Sequence, residues 1–202
     1  MTYEAAAVPE AHRGPVGTLS VIMAALVAVA LLAGCDAPDV PRPVSALATY
    51  PGTPEGARMV AAEFTTPGAD PPALLLSLRP TDKDCIAVFD DATLAAALIH
   101  YDGYWESPDV LGPAPDQTEV RVLAATTEEL ATGTGNTREF PGGWASIAPH
   151  LRPGLTIYVM VFSRPGQSFG VRIDGLTHIN GQWRIFPSPW AVLTVGEPGH
   201  HH

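Results

Sequence analysis

The spacing of hydrophobic and polar positions changes several times along the chain, and each change predicts a different element. Residues 16–34 are an uncharged run of 19 small and branched residues, whose most apolar part is the 12-residue stretch Val21 to Leu32. The full run approaches the roughly 20 residues that span a bilayer as a helix, whereas its short apolar centre fits a secretion signal. Residues 36–51 carry four prolines, which rules out a helix or central strand and predicts a stiff, partly extended tether over residues 35–52.

Helical signals follow. Thr53 before Pro54 predicts an N-cap with proline at the first helical position, opening a stripe of Ala57, Val60, Ala61 and Phe64. Asp70 can cap the short segment Ala73 to Leu78. Periodicity does not separate helix from strand there, but the Asp-Pro start favours helix. Thr81 and Asp84 have capping-box spacing, with Cys85, Val88 and Phe89 turned inward. Leu94, Leu98, Tyr101 and Trp105 form one stripe on a helix over Thr93 to Trp105. That face is expected to make the main helical contact with the sheet.

Beyond a turn-rich break at residues 108–115 the period falls towards two. Glu119 to Ala124 alternates as a strand, and Thr126 with Glu129 predicts one or two helical turns before Gly133. Residues 132–139 read as a surface loop, Phe140 to Trp144 as a tight turn and Ile147 to Leu151 as irregular chain. Thr156 to Phe162 is apolar at both parities, so it should be a central strand covered by helices on at least one side. Phe169, Val171 and Ile173 alternate with polar positions up to Gly175, which marks a bulge. Asn180-Gly181 then predicts a two-residue hairpin. Its register sets His178 opposite Trp183 and Leu176 opposite Ile185 on one face, with Thr177, Ile179 and Arg184 on the other. Trp190, Val192 and Leu193 are expected to fold back over a sheet edge, and residues 196–202 to be a disordered tail.

Composition narrows the setting. The chain has 21 acidic and 11 basic side chains. Without residues 1–34 the counts become 19 and 10 over 168 residues, enough for one domain with its own core. A net charge near −9 argues against nucleic acid as a partner and against electrostatic adhesion to an anionic membrane. The two cysteines are Cys35 and Cys85. The first closes the apolar run as Leu32-Ala33-Gly34-Cys35, which resembles the lipobox of bacterial lipoproteins.

That resemblance implies that the Cys35 thiol receives a diacylglyceryl group and that residues 1–34 are removed as a signal. Membrane lipid is then the partner, through acylated Cys35, and the mature chain is extracytoplasmic. The leader is only weakly basic, with Arg13 and His12 against Glu4 and Glu10. A retained transmembrane anchor over residues 16–34 is therefore the alternative. With Cys35 acylated, Cys85 has no intramolecular partner and a disulfide scaffold is excluded.

Helices first and a strand-rich second half predict a single α+β domain over residues 53–195. The expected form is N-terminal helices packed on a curled antiparallel sheet, cone or roll like. The hairpin sequence around Asp174-Gly175-Leu176 and Gly181-Gln182-Trp183-Arg184 resembles the NTF2-like or cystatin-like class, which hosts both enzymes and binding modules.

Among candidate residues, His178 beside Trp183 could form a ligand pocket on a concave sheet face by stacking and hydrogen bonding. The bland alternative is a histidine at the rim of a packed hairpin. His100, His150, His178 and Cys85 match no metal-ligand spacing, so neither a metal nor a cofactor is expected. No catalytic residue is nominated: nucleophile-elbow, Walker A, H-E-x-x-H and C-x-x-C patterns do not occur in the chain. The favoured function is a membrane-anchored lipoprotein whose non-catalytic envelope domain binds a small molecule or a protein partner. The alternative is an envelope enzyme with a pocket centred on His178.

Overall fold

A computed structural model describes residues 46–106 and 112–195. The leader, Cys35, residues 36–45 of the tether and the tail from residue 196 lie outside these residues, as do positions 107–111. No helix among the described residues is long and apolar enough to cross a membrane.

After a 3-10 turn at Ala46–Thr49, four helices precede the sheet: α1 Pro54–Glu63, α2 Pro71–Ser77, α3 Asp82–Val88 and α4 Leu94–Glu106. Their starts follow local chemistry. Thr53 and Asp70 cap α1 and α2 through their side-chain oxygens, with proline in the first turn of each. Thr81 and Asp84 form a complete capping box on α3. Strand β1 (Glu119–Thr126) runs directly into α5 (Thr127–Thr132), where Thr126 and Glu129 form a second box and Gly133 ends the helix in the left-handed region. Helix α6 (Gly143–Ile147) is followed by β2 (Thr156–Ser163), β3 (Gly170–Ile179), β4 (Gln182–Ile185) and a 3-10 turn at Pro189–Thr194.

The four strands form one antiparallel sheet in the order β1-β2-β3-β4. This corrects the curled, cone-like expectation: the sheet is an open meander. Helices lie against both of its faces, so neither is left as a concave surface. Directly paired residues share a face. On one face Phe162 meets Phe64 of α1 at 5.7 Å between ring centroids, and Trp183 lies against Gly56. On the other face Asp174 meets Trp144 of α6, and Arg184 meets Asp84 of α3. Val159, Met160 and Phe162 are fully buried as a result, which explains why β2 reads as apolar at both parities.

The expected main contact between α4 and the sheet is also corrected. Helix α4 packs against α3 and the Pro189–Thr194 turn, whereas α1 is the helix lying along β1. Its buried residues are Ala97, Tyr101 and Trp105, with Leu94 and Leu98 only half-buried. Phe89, Tyr101 and Phe186 form an aromatic cluster with centroids 5.4 to 6.0 Å apart. The C-terminal turn closes over helices rather than over a sheet edge: Trp190 stacks edge-on to Trp144 at 6.2 Å. Where a tight turn and irregular chain were expected, residues 143–150 are helical, because Trp144 and Ile147 are drawn into the core.

The bulge lies where Gly175 predicts it. Tyr158 pairs with Leu176 but Val159 pairs with Asp174, which leaves Gly175 as the extra residue at φ +85°. A Cβ there would lie 2.1 Å from the Phe186 carbonyl oxygen, so both conformation and space require glycine.

Candidate functional site

The hairpin brings His178 and Trp183 together in the expected register, with ring centroids 5.1 Å apart. Asn180 (φ +51°) and Gly181 (φ +75°) both lie at positive φ, as a type I′ turn requires. Trp183 is buried: its indole N–H donates to the Tyr50 carbonyl at 3.2 Å and its ring meets Tyr158 at 5.6 Å. The half-buried His178 ring rests on the backbone at Gly52, where a Cβ would lie 2.3 Å from Nδ1. Residues 50–52 thus lie across the face that a ligand stacked on this pair would occupy. A cleft of about 70 Å³ reaches Trp183 between Leu47, Leu78 and Arg184. The bulge turns Asp174 to the opposite face of the sheet, and the structure does not bring it to His178.

Other ionisable groups are organised away from that pair. Asp84, only 3 % exposed, is the densest centre. Its carboxylate accepts from Arg184 Nε (2.8 Å), Asn180 Nδ2 (2.8 Å), and the Thr81 amide (2.9 Å) and hydroxyl (2.8 Å). Burial alone would raise its pKa, but these bonds together hold the carboxyl below the ordinary range. The α3 capping box and the hairpin turn are therefore one tertiary fastening. Sequence reasoning found each half as a local signal and missed their union.

Asp174 has the opposite environment. Burial raises its pKa, while the Trp144 indole N–H donates to its Oδ2 at 2.9 Å. On a third edge, Asp90 accepts from the Thr93 amide and hydroxyl and faces His150 Nδ1 at 3.3 Å. This group joins the start of α4 to the chain before β2, where Phe89 and Leu151 form an isolated bridge. Burial, aided by Asp82 and Asp84, pushes the Cys85 thiol up to about 12, which keeps it protonated and unreactive at neutral pH. Burial also lowers the His100 pKa, and its half-buried ring packs edge-on against Tyr101 at 4.8 Å. No group of three or more His, Cys, Asp or Glu side chains placed to hold a metal occurs among the described residues.

Larger open volume lies around the link between α1 and α2, next to the Trp183 cleft, with which it shares Leu47 and Ser77. One groove of about 420 Å³ is lined by Leu47, Glu63, residues 66–70, Ala73, Leu74 and Ser77. A second of similar size lies behind the same link, against Phe64, Pro71, Pro113, Ala114, Pro115, Gln117 and Thr118. The Pro67-Gly68-Ala69-Asp70-Pro71 sequence reads as punctuation between helices, yet Pro67, Gly68 and Ala69 form a wall shared by both grooves, with Asp70 facing the first and Pro71 the second. Proline ends α1 and restarts the chain as α2, so the link stands away from the core. Gly68 at φ +83° has nothing within 4 Å of a built Cβ, so the rim is open. The first groove suits apolar contact with a few polar groups at its edge, the usual chemistry of small-molecule sites of about 300–1,000 Å³. Comparison with family models, curated proteins and solved structures finds no match to this chain.

Proposed function

We propose that this chain is a lipid-anchored protein of the cell envelope whose folded domain binds a small molecule without transforming it. The observation that carries the anchoring is Leu32-Ala33-Gly34-Cys35 closing an uncharged apolar run. The Cys35 thiol would carry the lipid and the proline-rich segment would hold the domain off the bilayer. With a net negative mature chain, attachment would come from acyl chains rather than from protein charge.

Binding is supported by the groove between α1 and α2, which combines an apolar wall with few polar groups. The hairpin pair supports it less, since Tyr50 to Gly52 already lie against Trp183 and His178.

The test compares wild type with Cys35→Ser by intact mass and membrane fractionation. Loss of residues 1–34 and a diacylglyceryl mass increment in wild type, both abolished by Cys35→Ser, are the expected result. An uncleaved leader and unchanged membrane retention in both proteins would overturn the lipoprotein assignment in favour of an anchor over residues 16–34.

A further inference from the structure

We infer that the groove between α1 and α2 binds a single-chain amphiphile with a cationic head group, an assignment that rests on reading the chain as a membrane-tethered binding domain. Two features of the groove define that ligand. Its wall is mainly apolar, built from Leu47, Pro67, Ala73 and Leu74, and its volume is about 420 Å³. Its charged lining groups are both acidic, Glu63 and Asp70, and no Lys, Arg or His lines it. An alkyl chain uses the first feature and a cation uses the second.

Both carboxylates retain capacity for a ligand. Glu63 accepts a hydrogen bond from the Tyr50 hydroxyl, and Asp70 accepts one from the Ala73 amide at 3.1 Å. Neither enters an ion pair among the described residues. An ionised carboxylate has about four acceptor positions, so each can still meet an ammonium group. An anionic head group would meet two like charges and no cation to offset them. The groove thus discriminates by charge as well as by apolar area.

Its position in the chain favours an amphiphile over a freely soluble cation. Leu47 is twelve residues beyond Cys35, and twelve residues reach at most about 40 Å when fully extended. Anchored at Cys35, that wall of the groove stays within about 40 Å of the membrane that holds the amphiphile, and the tether is long enough to let the groove reach its surface.

The test is photolabelling of the full chain in nanodiscs of zwitterionic phosphatidylcholine. Two diazirine probes of equal chain length are used, an alkyl-trimethylammonium and an alkyl sulfate, and labelled peptides are mapped by mass spectrometry. The ammonium probe should label residues 63–77 about fivefold more than the sulfate, the scale of two partly exposed ion pairs. Glu63→Gln with Asp70→Asn should erase the preference while leaving alkyl-chain labelling in place. Ala73 is exposed, so Ala73→Trp fills the groove without entering the core, and it should remove labelling by both probes. Equal labelling of wild type by the two probes, or labelling unchanged by Ala73→Trp, would overturn the assignment. Running Cys35→Ser in parallel separates the two ideas. Ammonium preference in a wild-type chain whose mass matches Cys35→Ser apart from the substitution upholds the groove and rejects the anchor, and a lipidated wild type without groove labelling does the reverse.

Discussion

Asp84 and Asp174 are both carboxylates drawn against the same face of one sheet, and they settle burial in opposite ways. Asp84 meets an arginine, an asparagine amide and two donors from Thr81. Asp174 receives one indole N–H from Trp144. Desolvation is the largest influence on each, yet the first carboxyl ends below its ordinary pKa and the second above. The number of donors, rather than burial itself, decides which protonation state the fold favours.

The linkage signs therefore differ. An unfolded aspartate titrates near 3.9. Asp84, lowered in the folded state, contributes stability that is complete above that value and lost as pH falls through its folded pKa. Asp174, raised in the folded state, contributes stability present below that value and lost as pH rises through its folded pKa.

Substitution can break the comparison at either end. The largest effect is expected from Asp84→Ala, which strands the Arg184 guanidinium, itself only 15 % exposed, without its carboxylate. Breaking one side of a buried pair costs about 3–5 kcal/mol, and urea denaturation should show the midpoint fall accordingly. Asn180→Gly comes next. Glycine keeps the positive φ of the turn but removes the amide that donates to Asp84 and to the Lys83 carbonyl. A loss of about 2 kcal/mol is expected for hydrogen bonding to a charged group, together with an upward shift of the Asp84 titration followed by carbonyl NMR. An unmoved titration would show that Arg184 and Thr81 alone hold that carboxyl down.

The smallest change sharpens the other end. Asp174→Asn retains an oxygen for the Trp144 indole but removes the charge. Its thermal midpoint should exceed that of wild type at pH 7, and the gap should close as the pH is lowered towards 4. A constant gap across that range would mean that Asp174 does not titrate above its unfolded value.

Legibility follows the range of the physics involved. Capping boxes at Thr81–Asp84 and Thr126–Glu129, the Asn180-Gly181 turn and the Gly175 bulge are set by neighbours within a few residues. All of them are readable in the chain and present in the fold. The partner of the α4 stripe is not readable. The stripe has no marker for it, and α3 with the Pro189–Thr194 turn takes the place assigned to the sheet. Nor is the openness of the sheet, which depends on helices covering both faces. The groove is hidden for a related reason: part of its wall is the Pro67-Gly68-Ala69 link, which signals only where helices stop. Its acidic lining comes from Glu63, the last residue of α1, and Asp70, the N-cap of α2.

Gly175 acts on β3 as a frameshift acts on a message. Before it, even-numbered side chains of β3 point to the face that receives α3 and α6. After it, even-numbered side chains point to the face that receives α1. Asp174 and His178 are four residues apart and would share a side in an unbroken strand, yet one inserted glycine assigns them to different compartments. Deleting that single residue would keep the composition of the strand almost intact while rewriting which residues can ever meet. A search of related sequences for paired residues in this strand must therefore count from Gly175, not through it.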